Sequence, residues 1–250
     1  MPKILGTSLL LILVIGIFGF IFLYLGFNLL DPGNPVNRHL RKYAMRTPYG
    51  GKIFRLNQEG DARYEYLDRK IPLEIFVYYQ DGAVLSPETI NGVSTELKRL
   101  TGRMTETVIR PQILLPDIPG KVTDKDIVTI LDKYQVRSPI REISVPLHIF
   151  VFKYYLTNTS IGGLVTDAHT LVIFKQPLTY VSQNPADTRE TETATILHEF
   201  GHLAGAGHSQ NPDCIMAETV ESLNFYNKIK TVNSFCPEDL ELFKNSLIIP

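Results

Sequence analysis

The chain has 250 residues, 44% of them apolar, and 25 Lys and Arg against 26 Asp and Glu give a formal charge of −1. That balance suits one globular domain with an appendage and excludes a disordered polymer or a basic nucleic-acid binder. Basic residues nevertheless gather early, because Arg38, Arg41, Lys42, Arg46, Lys52 and Arg55 follow the first apolar run, as in a linker beside lipid headgroups.

Ile4 to Leu30 are apolar apart from Thr7, Ser8, Tyr24 and Asn28. At about 1.5 Å per residue a helix of that length covers the ~30 Å hydrocarbon core of a bilayer. Residues 1–30 are therefore read as an uncleaved transmembrane anchor; a signal peptide would carry a shorter apolar core ending in small residues. Asp31 to Asn37, reading DPGNPVN, stops the helix and opens a basic juxtamembrane connector over 31–70. A compact domain is expected over 71–250. The charge after the helix would leave that domain in the cytoplasm. The spacing of Cys214 and Cys236, which a single disulfide could join outside the cell, argues for an extracytoplasmic domain, and two free buried thiols are the alternative.

Within the domain, Leu73, Ile75, Val77 and Tyr79 alternate with Glu74, Phe76 and Tyr78, which predicts a strand buried mainly on one face. Ser86 as N-cap, Pro87 at the first turn and Gly102 as stop bound a helix carrying Ile90, Val93, Leu97 and Leu100 on one face. A second strand falls within Thr107 to Leu115. Thr123 and Asp126 form a capping box for a helix with Ile127, Ile130, Leu131 and Tyr134 in register. Val145 to Leu156 and His169 to Phe174 are β-branched and aromatic, and the Gly162-Gly163 pair between them fits an edge strand with a turn or bulge. His148 reads as a half-buried strand residue, and His169 beside Asp167 as part of a turn.

The chemistry concentrates in His198-Glu199-Phe200-Gly201-His202-Leu203-Ala204-Gly205-Ala206-Gly207-His208, preceded by a helical stretch from Thr188 to Leu197. At 3.6 residues per turn His198 and His202 share a face and can hold one Zn²⁺, with Glu199 leaning toward the open coordination position. A straight helix would carry residue 208 away, so the chain must turn; Gly205 makes a left-handed turn cheap and lets His208 return as third ligand. Three nitrogens leave the fourth position for a water that Glu199 deprotonates. An HExxH string arises by chance in on the order of one chain in a hundred of this length, and the added glycine and histidine make coincidence several hundredfold rarer.

HEFGHLAGAGH resembles the long zinc motif of the metzincin metallopeptidases, and HSQNPDCIM continues it as matrixins do, with Ser209 after the last ligand and Met216 after the same gap. The resemblance implies an α+β domain: a twisted mixed sheet, an active-site helix and a C-terminal helix opening at Cys236-Pro237-Glu238. It implies that Met216 is the Met-turn residue beneath the imidazoles. It also implies that Gly162, Gly163 and Leu164 form the edge strand on which an extended peptide or protein substrate pairs. Ala217-Glu218 replaces the usual Tyr-Pro, and without a third cysteine the matrixin propeptide latch is excluded. An archaemetzincin-like relation fits less well, for want of that family's extra cysteines. The expected protein is a membrane-anchored zinc endopeptidase with one catalytic ion and with specificity set between Ala217 and Thr231. The alternative is a catalytically inactive zinc-stabilised binding module on a membrane stalk.

Overall fold

Elements follow from the chain in order, in a computed structural model that describes residues 2–30, 34–46, 50–56, 58–135, 144–182, 184–217, 232 and 234–247. The chain divides into a first unit over Met1–Leu56, with Pro250, and a second over Asn57–Ile249.

In the first unit, α1 (Pro2–Leu29) is a single helix in which Ile12–Leu29 is long and apolar enough, by length and composition, to cross a membrane. Of the expected stop from Asp31 to Asn37, residues 31–33 lie outside the described residues and Pro35 opens a new helix. The connector is not plain linker: α2 (Pro35–Arg46) and α3 (Gly50–Phe54) fall within it. Residues from Gln58 onward belong to the second unit, which opens with a turn and α4 (Arg63–Leu67), where Tyr66 and Leu67 are buried.

The second unit is mixed α/β around a mostly parallel sheet in the order β2 (Thr107–Ile109), β1 (Leu73–Gln80), β5 (Val145–Phe152), β8 (Thr170–Phe174), β7 (Gly163–Asp167). β3 (Ile113–Leu115) also pairs with β1, and among the described residues only β7 runs antiparallel to its neighbour. Both faces of β1 are buried, where one was expected, because parallel strands need crossovers that place helices on each side. Right-handed crossovers do this: α5 (Pro87–Thr101) links β1 to β2 on one side, and α6 (Asp124–Tyr134) leads back to β5 on β1's other side, so the two helices cover opposite faces. Under α6 lies an aromatic stack in which Tyr78 faces Phe150 at 4.4 Å and Tyr155 faces Phe174 at 4.6 Å between ring centroids.

Caps behave as read. The Ser86 side chain accepts from Thr89 N, Gly102 is left-handed at φ 57°, and Thr123 with Asp126 makes a complete capping box. Three boundaries differ from expectation. The segment from Thr107 to Leu115 is two short strands, parted at Pro111, which has no N–H for the ladder. The run from Val145 to Leu156 breaks at Lys153, whose N–H donates to Gln80 Oε1 (2.7 Å), and β6 (Tyr154–Tyr155) leaves to pair with β4 (Lys121–Val122). The motif helix, α8 (Pro185–Leu203), starts ahead of Thr188 because Asn184 caps it, accepting from Ala186 N and Asp187 N; α7 (Lys175–Val181) precedes it.

Candidate metal centre

α8 ends in the motif. His198 and His202 lie one turn apart on it, and the chain then leaves the helix at Gly205, left-handed at φ 88°, where a side chain would meet Arg63 Cδ at 3.1 Å. Ala206 N still donates to Gly201 O (2.9 Å), so the exit is tight. The return carries His208 back, and Ser209 N donates to Met216 O (2.7 Å) to anchor the following loop.

Three ring nitrogens converge: His202 Nε2 stands 3.2 Å from His198 Nε2 and 3.1 Å from His208 Nε2. The opposite nitrogens decide their protonation. His198 Nδ1 lies 2.7 Å from Ile215 O and His202 Nδ1 lies 3.1 Å from Ala206 O. A carbonyl can only accept, so each Nδ1 carries the proton and each Nε2 presents a lone pair. Lone pairs facing one another at that distance repel unless a cation lies between them. A tetrahedral ion with Zn–N of about 2.05 Å separates its ligand nitrogens by about 3.3 Å, so the donor set fits zinc in kind and in spacing. Burial also pushes the His198 imidazole down to about 4, against the hydrogen bond it donates to Ile215 O, so the neutral ligand form prevails at pH 7. His198 is buried and His208 exposed, leaving the group open on one side. Among the described residues the group holds three donors and no fourth protein ligand.

Glu199 is 2% exposed, and its carboxylate lies against Gly163 of β7: a Cβ there would stand 2.7 Å from Oε1 and 2.8 Å from Cγ. The glycine of the edge strand thus makes room for the acid. Gly162 holds the same strand down, with its carbonyl accepting from Phe174 N (2.9 Å) and no space for a side chain beside Leu178. Leu164 pairs with Val172 one residue further along. Met216 is fully buried, with its sulfur where a Cβ on Gly201 would be, and Phe235 Cε1 stands 2.9 Å from the same point. Cys214 and Cys236 bring their sulfurs into bonding contact with Cα atoms 5.2 Å apart, beside the carboxyl of Asp239, which burial pushes up. The expected specificity segment lies outside the described residues from Glu218 to Thr231.

Two partners of the site escaped the sequence. Glu59 Oε1 is 3.2 Å from His202 Nδ1, and Gly60, left-handed at φ 77°, lies so near Gly205 that a Cβ added to it would stand 3.5 Å from Gly205 Cα. Gly201 is the other, and its signal was the small residue inside HEFGH. Elsewhere, His148 is buried with Nδ1 3.4 Å from the Tyr78 hydroxyl, and His169 N donates to Asp167 Oδ1 (2.8 Å) in a turn.

No protein-family model matches the chain, and no curated protein matches it either. Among solved structures it is similar to archaemetzincin from Methanopyrus kandleri, at 15% identity and TM-score 0.49 over 70% of this chain and 94% of that one. It is similar to archaemetzincin from Archaeoglobus fulgidus at 18% identity and TM-score 0.45, over 68% and 99%. A zinc-dependent peptidase from Methanocorpusculum labreanum gives 16% and 0.44, over 68% and 99%. Two of these are archaemetzincins, the relation that the cysteine count had ranked below matrixins.

Proposed function

We propose that the chain is a membrane-anchored zinc metalloendopeptidase of the metzincin kind, with His198, His202 and His208 as ligands of one ion and Glu199 as the catalytic base. The observation that carries this is the convergence of three Nε2 atoms at 3.1 and 3.2 Å, with His198 and His202 fixed from behind by backbone carbonyls. An ion held there supplies Lewis-acid polarisation of the scissile carbonyl and of the attacking water. Glu199 takes the water's proton on its carboxylate and returns it to the leaving amide nitrogen. The Nδ1 hydrogen bonds to Ile215 and Ala206 hold both imidazoles in the ligating tautomer throughout.

β7, an edge strand among the described residues, suits an extended substrate, whose backbone would pair beside Gly162, Gly163 and Leu164 and bring a peptide bond past Glu199. Met216 serves as the packed floor beneath α8 through Gly201, and Gly205 as the turn that returns His208. A disulfide between Cys214 and Cys236 ties the loop after His208 to the start of α9 (Pro237–Leu247) and favours an extracytoplasmic domain. A zinc-stabilised binding module would want a fourth protein ligand and has no use for a carboxylate at Glu199.

The test is Glu199→Gln in the full-length protein. It should keep one zinc per chain by elemental analysis and lower cleavage of a mixed peptide library by about 10²- to 10⁴-fold. Unchanged cleavage would exclude this role.

A further inference from the structure

On the membrane-anchor reading, on which this inference rests, α1 is longer than the bilayer core it would cross. From Ile4 to Leu30 its apolar run spans about 40 Å at about 1.5 Å per residue, against a hydrocarbon core of ~30 Å. A core beginning at Ile4 is used up near Leu23, so Tyr24 to Leu30 project about 10 Å beyond it. The structure covers part of that overhang. The Phe54 ring of α3 packs 5.0 Å from Phe27 in the overhang and 5.5 Å from Phe20 one turn below it, and Asn28 Nδ2 donates to Phe54 O (3.4 Å). α2 closes the open end of the helix: Arg41 Nη1 donates to Phe27 O (2.8 Å) and Asn37 Nδ2 to Leu30 O (3.0 Å). Those carbonyls would otherwise face the membrane boundary unmatched.

With Asn37 and Arg41 turned to α1, the rest of α2 splits in two. Val36, Leu40 and Tyr43 form an apolar stripe at helical spacing, exposed by 66%, 40% and 52%, and Ile53 of α3 adds 50%. At about 100° per residue the positions of Arg38, Lys42 and Arg46 fall on a separate arc, centred about 130° from that stripe. A helix held at a bilayer boundary with one apolar arc, one basic arc and its third side on the anchor has the pattern of an interfacial helix on anionic lipid.

We propose that α2 and α3 are a foot embedded in the headgroup layer, binding anionic phospholipid beside the anchor as a second membrane contact. This does not rest on the zinc reading. The chain has no tryptophan, so single replacements report depth without interference. The full-length protein would be reconstituted into phosphatidylcholine vesicles with or without about a third phosphatidylglycerol, and read with phosphatidylcholines brominated near the headgroup or deep in the chain.

Leu40→Trp should emit blue-shifted light in the anionic vesicles and be quenched by shallow bromines. Phe18→Trp should be quenched by deep bromines, and Tyr180→Trp, 67% exposed in the second unit, by neither. Each basic residue near an anionic surface is worth about fivefold in partition. Combining Arg38→Glu, Lys42→Glu and Arg46→Glu should therefore return Leu40→Trp to a water-like signal while Phe18→Trp stays quenched. The proposal is overturned if Leu40→Trp behaves like Tyr180→Trp while Phe18→Trp is quenched, since α2 then lies in water or against protein. It is overturned equally if no site is quenched, or if shallow quenching ignores both lipid charge and charge reversal.

Discussion

Replacing Gly163 with alanine isolates the placement of Glu199 from its chemistry. The strand tolerates alanine, since Gly163 has no positive φ and glycine inside a strand is itself a small cost. The new Cβ would stand 2.7 Å from Glu199 Oε1, 2.8 Å from Cγ and 3.0 Å from Cδ, where ordinary contact begins near 3.4 Å. The carboxylate must therefore recede by about 0.7 Å, the difference between 3.4 and 2.7 Å. A displacement near 1 Å of a reacting group costs about 10²-fold, so kcat/KM should fall by about that factor. Zinc content and circular dichroism should not change, because the three atoms nearest the methyl all belong to Glu199. The assay is steady-state cleavage of a fluorogenic peptide with metal analysis on the same sample. Full activity in Gly163→Ala, or a drop in bound zinc, would refute the assigned position of the acid.

Other outcomes follow from neighbouring contacts. Glu59→Gln should weaken zinc binding by about tenfold in a chelator competition, the low end for a partner of a ligating histidine, because Glu59 is 55% exposed. Gly201→Ala should destabilise the fold by about 1–3 kcal/mol by pressing on Met216 and Phe235, read as a lower urea midpoint. His148 supplies a pH signature: burial pushes its folded pKa down to about 3 from 6.5, so between those values the unfolded chain binds the extra proton. Stability is then full above pH 6.5 and declines toward pH 3, by up to about 1.4 kcal/mol per unit. His148→Phe, which keeps the stack on Phe76 at 5.1 Å, should flatten that limb in urea titrations of the chelator-treated protein.

What could be read in advance was whatever local chemistry dictates. Ser86, Thr123 and Gly102 announce helix ends because caps satisfy backbone groups within a few residues. The three histidines converge because 3.6-residue periodicity and one permissive glycine suffice to bring them together. Glu59 could not be found this way, since it reaches His202 across more than a hundred residues from a polar turn with no periodicity. The double-sided burial of β1 was equally hidden. Alternation marks a half-buried strand, whereas the position of β1 inside a parallel sheet depends on crossovers that form elsewhere in the chain. The short strands at Thr107–Ile109 and Ile113–Leu115 hinged on Pro111, whose missing donor was visible but whose partner strand was not. The folding of α2 and α3 onto α1 escaped for a related reason, since a basic, proline-marked segment looks like linker until Phe54 finds Phe27.

The bulge in β7 sets a measure. Its ladder with β8 shifts register between Val165 and Asp167, so only Gly163 to Val165 present a straight outer rim. At about 3.3 Å per residue that rim is about 10 Å long, enough to seat roughly three residues of a visiting strand before the twist turns it away. Anything zipped to this margin is thus gripped over a brief footprint, and the same shortness keeps identical chains from stacking margin to margin.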